Sequence, residues 1–338
     1  MEQRKIMSLG RSSLVVSLPK HWITLNELKR GDSVSLGVQR DRSLVIFPGR
    51  KTIQGEKEIT LHVEPNEERD SITRRVIACY LNGYFGIRLV AKKMFTLIQQ
   101  KGIRNIAEKL YMRIIESDSK KIYMQTLIDL TMASIDSSVH RMNAITISMY
   151  KDALNSLKNL DKDLAKVVYS LDDDVDKFAL FLLRLLYSVA IDPALANQLG
   201  LEPIDCLHYQ ILVNRIEHIA DRATNIAQHV LMLEGNQQSR LVPIVEQLVN
   251  TGNEVLDAYM KAVKVFFSKD IHEADKIIEF QDKIEKRNQQ IASQLFVSKD
   301  VSSKECCSMC SIRNSIRETM EHAVDIVEVT IDRIYKES

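Results

Sequence analysis

The chain has 338 residues, of which 45% are hydrophobic, and its 46 lysines and arginines nearly balance 45 aspartates and glutamates. Its 11 glycines and 6 prolines together make up less than half of the fraction that these two residue types usually contribute to a protein. This composition predicts a mostly helical chain of two or three domains and excludes an all-β or a disordered one.

The sequence shows no feature of export or membrane insertion. No apolar run reaches the length of about 18 residues that a membrane span needs. The N-terminal sequence MEQRKIM lacks the apolar segment of a signal peptide. Five cysteines, an odd number in a long chain, fit reduced thiols better than a disulfide framework. We therefore expect a cytoplasmic protein that does not insert into a membrane.

The charge is unevenly distributed along the chain. Residues 1–51 contain ten basic and four acidic residues, a net charge of +6, whereas the rest of the chain carries −5. A basic head on an acidic body favours binding of the head to a polyanion. A solvated basic surface without a partner is the alternative.

The head has the pattern of short β-strands. Leu14, Val16 and Leu18 occupy alternate positions until Pro19 ends the strand. Five of the 11 glycines and three of the 6 prolines precede residue 66, where they mark turns between strands. These features predict a small β domain over residues 1–50.

The segments GRSSLVVSLPKHW, LKRGDSVSL and RDRSLVIFP resemble the swapped-hairpin domain of AbrB-type transcription regulators over about 45 residues. In that family two chains interleave their hairpins into one barrel, which binds DNA through basic residues near the first loop and strand. The resemblance therefore implies a homodimer whose partner is DNA. The implied DNA-binding residues are Arg4, Lys5, Arg11 and Lys20.

Residues 51–125 predict a small α+β connector. The sequence KTIQGEKEITLHVE, residues 51–64, predicts one strand, and the helix after it has Ile72, Val76, Ile77 and Tyr80 on one face. The sequence FGIRLVA then predicts a second strand, residues 96–110 a second helix, and YMRIIES with KKIYMQT a hairpin. Nothing in these residues indicates a function.

The remainder predicts long helices in two repeats. Residues 103–192 and 253–338 contain neither glycine nor proline. Residues 216–228 align without gaps on residues 316–328, at an offset of 100, and residues 163–178 align on 272–287 at an offset of 109. The predicted fold is therefore mainly α, with two tandem three-helix bundles, about 126–235 and 240–338, that follow the head and the connector.

Acidic residues recur on one face of these helices. Glu217 and Asp221 are four positions apart and Asp173 and Asp176 are three apart, so facing helices would gather four carboxylates. Like charges that close raise one another's pKa or require a cation, and oxygen ligands suit hard cations such as Mg, Mn, Ca or Fe. The alternative is a solvated face with ion pairs to arginine and lysine.

The second repeat has a weaker acidic pattern. Its acids are Asp282, Glu285 and Glu321, while Arg317 stands at the position of Glu217. An internal arginine could neutralise these acids without a metal ion, which favours the solvated face there.

The sequence NRIEHIADRATNIA resembles the E-R-I-x-D-x-A-x-N-I-A signature of the PhoU family of phosphate-transport regulators. That family folds as two repeated three-helix bundles and binds metal clusters through Glu/Asp-x-x-x-Asp motifs. The resemblance implies Mg, Mn or Fe as a possible cofactor, and the ATPase of a phosphate transporter or a sensor kinase as a protein partner. The implied metal ligands are Asp173, Asp176, Glu217, Asp221, Asp282, Glu285 and Glu321.

No motif in the sequence supports catalysis. The chain has no phosphate-cradling glycine-rich loop and no G-x-S-x-G elbow. It also lacks the Glu-x-x-His pair of di-iron carboxylate enzymes. We therefore interpret the chain as a non-enzymatic regulator of phosphate homeostasis that binds DNA through its head. The alternative is a regulatory subunit of a transporter, in which the head only dimerises.

Overall fold

A computed structural model describes residues 2–10, 12–38, 42–48, 57–233, 238–297 and 302–335. The chain divides into two compact units, Met1–Lys57 and Glu58–Ser338. The first unit is the small β head, and the second contains the connector and the helical body. The predicted fold class, mainly α with a small β head, is confirmed.

The described part of the head contains two antiparallel strand pairs and one short helix. Its exposed strands carry large apolar side chains: Leu14 is 72% exposed, Leu36 60% and Val38 69%. Among the described residues of the head, only Gly37 is buried. The described part of the head thus has no core of its own. Its elements are β1 (Met7–Leu9), β2 (Ser13–Val15), α1 (Lys20–Leu25), β3 (Val34–Val38) and β4 (Leu44–Pro48).

The connector forms a four-stranded mixed sheet with two helices, in the predicted order of elements. The strand order is β5-β6-β8-β7, with β5 parallel to β6 and the other pairs antiparallel. Val76 and Tyr80 of the first connector helix are fully buried against the sheet residues Ile87 and Leu89. The elements are β5 (Glu58–Val63), α2 (Arg69–Leu81), β6 (Gly86–Ala91), α3 (Leu97–Lys109), β7 (Met112–Ser117) and β8 (Lys121–Thr126).

A capping box fixes the start of α3. The Thr96 hydroxyl accepts a hydrogen bond from the Gln99 backbone N–H at 3.2 Å, and the Gln99 side-chain oxygen accepts one from the Thr96 N–H at 3.0 Å. The Gln99 amide nitrogen also donates to the backbone carbonyls of Glu64 and Glu67, at 3.2 and 2.9 Å. These bonds hold α3 against the end of β5 and so determine where its last residue, Lys109, lies.

In its described residues, the helical body contains six long helices and one short one. Helices α4, α5 and α7 form the first predicted three-helix bundle and α8, α9 and α10 the second. Asp192 caps α6 and Pro193 occupies its first turn, so the chain turns sharply between α5 and α6. The elements are α4 (Ile135–Asn159), α5 (Lys162–Ile191), α6 (Pro193–Leu199), α7 (Pro203–Met232), α8 (Gln238–Ser268), α9 (Ile271–Val297) and α10 (Ser303–Tyr335).

The two bundles share one hydrophobic core, in which α7 is central. The apolar residues of α7 that recur at steps of four and three are all buried, including Leu212, Ile216 and Ile226. Helix α7 packs against α4 and α5 of its own bundle and against α10 of the other. No single described helix is long and apolar enough to cross a bilayer; α5 and α6 meet that test only as a pair, which is bent by 116°.

Polar pairs cross the α7–α10 interface in a single register. Arg215 lies 2.9 Å from Asp325, and Arg222 lies 2.6 Å from Glu318. The Ser315 hydroxyl donates to the Asn225 side-chain oxygen at 2.9 Å, and the rings of His218 and His322 are 5.2 Å apart between centroids. The two residue numbers of every pair have the same sum, so the helices run antiparallel.

The connector docks on α5 through a buried arginine. Arg184 is only 4% exposed and lies over the Tyr80 ring, 4.5 Å from its centroid. Its guanidinium donates to the backbone carbonyl of Tyr84 at 3.1 Å and to that of Tyr80. The connector and the first bundle are therefore joined by a specific polar contact as well as by apolar packing.

Candidate functional site

The first bundle gathers acidic side chains between α5 and α7. Asp172 and Asp176 project from α5, and Glu217 and Asp221 from α7, each pair four positions apart on one helix face. All four side chains are partly buried. The Thr224 hydroxyl donates to Asp172 at 3.0 Å and so links the two helices beside the acids. We call Asp172, Asp176, Glu217 and Asp221 the acidic cluster.

The carboxylates of the acidic cluster raise one another's pKa. Burial, together with the charges of Asp221, Asp176 and Asp172, raises the pKa of Glu217 to about 7. Burial and the Asp176 charge also raise the pKa of Asp172 and that of Asp221. The cluster therefore holds more negative charge than its own surroundings neutralise, and Glu217 carries a proton for part of the time near pH 7.

The acidic cluster differs by one residue from the set that the sequence predicts. The side chain of Asp173, a predicted member, is 75% exposed and lies at the edge of the cluster. Asp172, which the sequence analysis missed, lies among the other acids. The sequence contains a pattern that could have identified Asp172, because Asp172 and Asp176 have the same four-residue spacing as Glu217 and Asp221.

A lysine from the connector reaches the acidic cluster. The Lys109 ammonium, at the end of α3, donates to Asp173 at 3.2 Å and to Asp176. Burial alone would lower the pKa of Lys109, but its hydrogen bonds with Asp176 and Asp173 and their charges raise it overall. Lys109 is thus a fixed positive charge beside the cluster. Sequence reasoning missed it because Lys109 belongs to another domain.

The predicted acids of the second repeat do not form a comparable cluster. Arg317 forms an ion pair with Glu321 on α10 and lies 3.8 Å from Glu318. Asp282 is exposed on α9, and Glu285 accepts a hydrogen bond from the Gln289 side chain at 3.2 Å. Of the three predicted acids, Arg317 therefore pairs with Glu321.

The placement of these side chains does not fit a bound metal ion. Across the described ranges, no group of three or more histidine, cysteine, aspartate or glutamate residues is arranged to hold one. In the first bundle, the Lys109 ammonium already contacts the Asp173 and Asp176 oxygens. Mg, Mn or Fe as a cofactor therefore stays a prediction from the resemblance alone.

The predicted DNA-binding residues of the head lie on its surface. Arg4, Lys5 and Lys20 are exposed, and Arg4 forms a 2.8 Å ion pair with Glu2. Lys20 is the first residue of α1. Arg11 lies outside the described residues. The three described side chains are accessible to a partner from solvent.

Comparison with known proteins agrees with both resemblances. Residues 139–230 match the family model of the PhoU domain. The matched residues lie within the first bundle. Residues 8–54 match the model described as "Antidote-toxin recognition MazE, bacterial antitoxin", which is consistent with an AbrB-like head. The two matches together cover the head and most of the first bundle.

Two curated relatives and one solved structure extend the comparison. Both relatives, from two strains of Xylella fastidiosa, are named "Phosphate-specific transport system accessory protein PhoU homolog". The first is 28% identical over 121 residues, which are 36% of this chain. The second is 27% identical over 124 residues, which are 37% of this chain. Each match covers 48% of the relative. The chain thus spans about half the length of the curated relatives it matches.

The structural comparison concerns the fold. The crystal structure of PhoU from Pseudomonas aeruginosa superposes with a TM-score of 0.53 at 18% identity. The superposition covers 96% of that chain and 60% of this one. The PhoU-like helical fold is thereby confirmed, and 40% of this chain has no counterpart in that structure.

Replacing Glu217 by glutamine should change how stability depends on pH. The raised pKa of Glu217, about 7 against an ordinary value of 4.5, means that the folded protein binds this proton more tightly than the unfolded chain. That stabilisation is complete below the pKa of Glu217 in the unfolded chain. It is lost as the pH rises through the pKa of Glu217 in the folded protein. Between pH 5 and pH 8 the free energy of unfolding of the wild type should fall by about 2 kcal/mol relative to that of Glu217→Gln.

Urea unfolding of both proteins at pH 5 and pH 8 measures this difference. Glu328→Gln is the matched control, because it makes the same replacement at an exposed position of α10. Parallel pH dependence of wild type and Glu217→Gln would show that Glu217 titrates normally.

Proposed function

We propose that the chain is a non-enzymatic regulator of phosphate homeostasis. In this proposal a dimeric head binds DNA, and the PhoU-like body senses or relays phosphate status. The observation that carries the proposal is the presence of a PhoU domain and a MazE-type head in one chain. The names of the curated relatives, accessory proteins of phosphate-specific transport, support the phosphate connection.

The charge and exposure of the head support DNA as its partner. Residues 1–51 carry a net charge of +6, and the described candidates Arg4, Lys5 and Lys20 are exposed. Lysine and arginine side chains that neutralise DNA phosphates release counterions, which drives association and makes it depend on salt. DNA binding through the head should therefore have a strong electrostatic component.

The apolar strands of the head support dimerisation. Leu14, Leu36, Val38 and Leu44 are all more than half exposed, and exposed apolar strands of this kind usually meet a partner. A second copy of the head supplies such a partner in the AbrB-type arrangement, in which hairpins from two chains interleave. The head of one chain would then complete its core only in the dimer.

The body is proposed to act through a protein partner. The ATPase of a phosphate transporter or a sensor kinase are the candidates that the family resemblance implies. In the alternative function, the chain is a regulatory subunit of a transporter and the head only dimerises. DNA binding by the head separates the two functions.

We expect the full chain to bind a 30-base-pair DNA duplex with an affinity that falls as salt rises. Each phosphate contact contributes a slope of about −0.9 in log affinity against log salt concentration. The double variant Arg11→Ala, Lys20→Ala should therefore flatten the slope by about 1.8. Fluorescence anisotropy over a salt series measures it.

The matched control for this experiment is Lys151→Ala with Lys158→Ala, two exposed lysines of α4, which should leave the slope unchanged. Equal slopes for wild type and the head variant would remove Arg11 and Lys20 from the DNA interface. An absence of DNA binding at every salt concentration would favour the transporter subunit.

Deletion of residues 1–57 should convert the dimer into a monomer. The remaining unit, Glu58–Ser338, is compact and has its own cores, so it should stay folded without the head. Light scattering measures the mass of both proteins, and circular dichroism checks the helical content. A shortened chain that remains dimeric would place the dimer interface in the connector or the body.

A further inference from the structure

The two repeats differ in charge at equivalent positions. The offset of 109 places Asp172 and Asp176 opposite Gln281 and Glu285, and the offset of 100 places Glu217 opposite Arg317. Only Asp221 and Asp176 therefore have acidic counterparts in the second repeat. That repeat has two carboxylates and one guanidinium where the first has four carboxylates.

Among the described residues, a cation of the chain nevertheless contacts predicted acids in each repeat. In the second repeat it is Arg317, whose guanidinium pairs with Glu321 on the same helix. In the first repeat no residue of α5 or α7 replaces an acid, and the Lys109 ammonium of α3 pairs with Asp176 and Asp173. The cation is internal to the bundle in one case and comes from the connector in the other.

We propose that Lys109 and Arg317 take the place of metal ions in this protein. Lys109 is then the counter-ion of the acidic cluster, and Arg317 is the counter-ion of the acids in the second repeat. The connector then does more than join the head to the body. It supplies a positive charge to the acidic cluster of the first bundle.

A divalent ion and the Lys109 ammonium would compete for the same oxygens. Mg²⁺ and Ca²⁺ bind carboxylate oxygens at about 2.0–2.6 Å. An ammonium that donates to Asp176 and lies 3.2 Å from the Asp173 oxygen occupies that space and repels a second cation. Metal binding would require Lys109 to leave, which would remove one of the contacts between α3 and α5.

The contact has a structural consequence for the connector. Its docking on α5 combines the buried Arg184, which binds the α2 and β6 side of the connector through Tyr80 and Tyr84, with Lys109 at the end of α3. The acidic cluster therefore contributes directly to holding the connector in place. A change in the charge of the cluster would loosen one of these two attachments.

Thermal unfolding of the full chain at pH 8, in EDTA and in 1 mM Mn²⁺, tests the proposal. The wild type should have the same Tm in both. Lys109→Met should melt several degrees lower in EDTA, because it leaves the carboxylates without their counter-ion. Mn²⁺ should raise its Tm by about 5 °C, since an ion that binds only the folded protein stabilises it.

Three further variants make the result specific. Lys109→Arg keeps the charge and should behave as wild type, and so should Lys101→Met, which removes an exposed lysine of the same helix. Lys109→Met combined with Asp176→Asn removes both partners and should recover Tm in EDTA. Should Lys109→Met fail to fold, recovery of folding by the double variant supports the proposal, and failure of the double variant to fold overturns it.

Two results would overturn the proposal directly. One is a Tm increase of the wild type in Mn²⁺ as large as that of Lys109→Met, because it would show that the ion binds without displacing lysine. The other is a Lys109→Met protein that melts as wild type in EDTA and does not respond to Mn²⁺.

Discussion

The antiparallel contact between α7 and α10 sets the geometry of the helical body. Polar pairs are spaced along it in one register, including Arg215 with Asp325 and Arg222 with Glu318. A shift of one helix by one residue would break all of these pairs at once. Burial and the positive charges of His218 and Arg215 lower the pKa of His322 to about 4, so the two imidazoles face each other without both being charged at neutral pH.

The position of α7 in turn places the acids. Because one face of α7 packs against α10, its Glu217 and Asp221 face α5, where Asp172 and Asp176 meet them. Helix α5 contacts the connector on another side through Arg184. Contacts made by α5 and α7 thus link the centre of the body to the connector.

The sequence predicted the elements that depend on local patterns. The absence of glycine and proline predicted the long helices, and apolar spacing in α7 predicted residues such as Leu212 and Ile216 that are buried. The order of connector elements was also predicted, because each strand and helix has its own periodicity. The short helix α6 was not anticipated, although Asp192 and Pro193 are typical of a helix start.

The features that the sequence did not predict depend on contacts between distant segments. Lys109 and Asp176 are 67 positions apart, and no local pattern records that two domains dock at that point. The pairing of Arg222 with Glu318 requires the register of two helices 96 positions apart. Arg317 was recognised as a neutralising residue because the repeat places it at the position of Glu217, beside the acids of its own helix.

The central claim is that one chain connects phosphate status to DNA through its PhoU domain and its head. Genome-wide mapping of the DNA bound by the chain, in phosphate-replete and in phosphate-starved cells, tests it most directly. The account expects binding sites upstream of phosphate-transporter genes, with an occupancy that differs between the two conditions. An absence of specific sites in both conditions, from a chain that is expressed and folded, would contradict it.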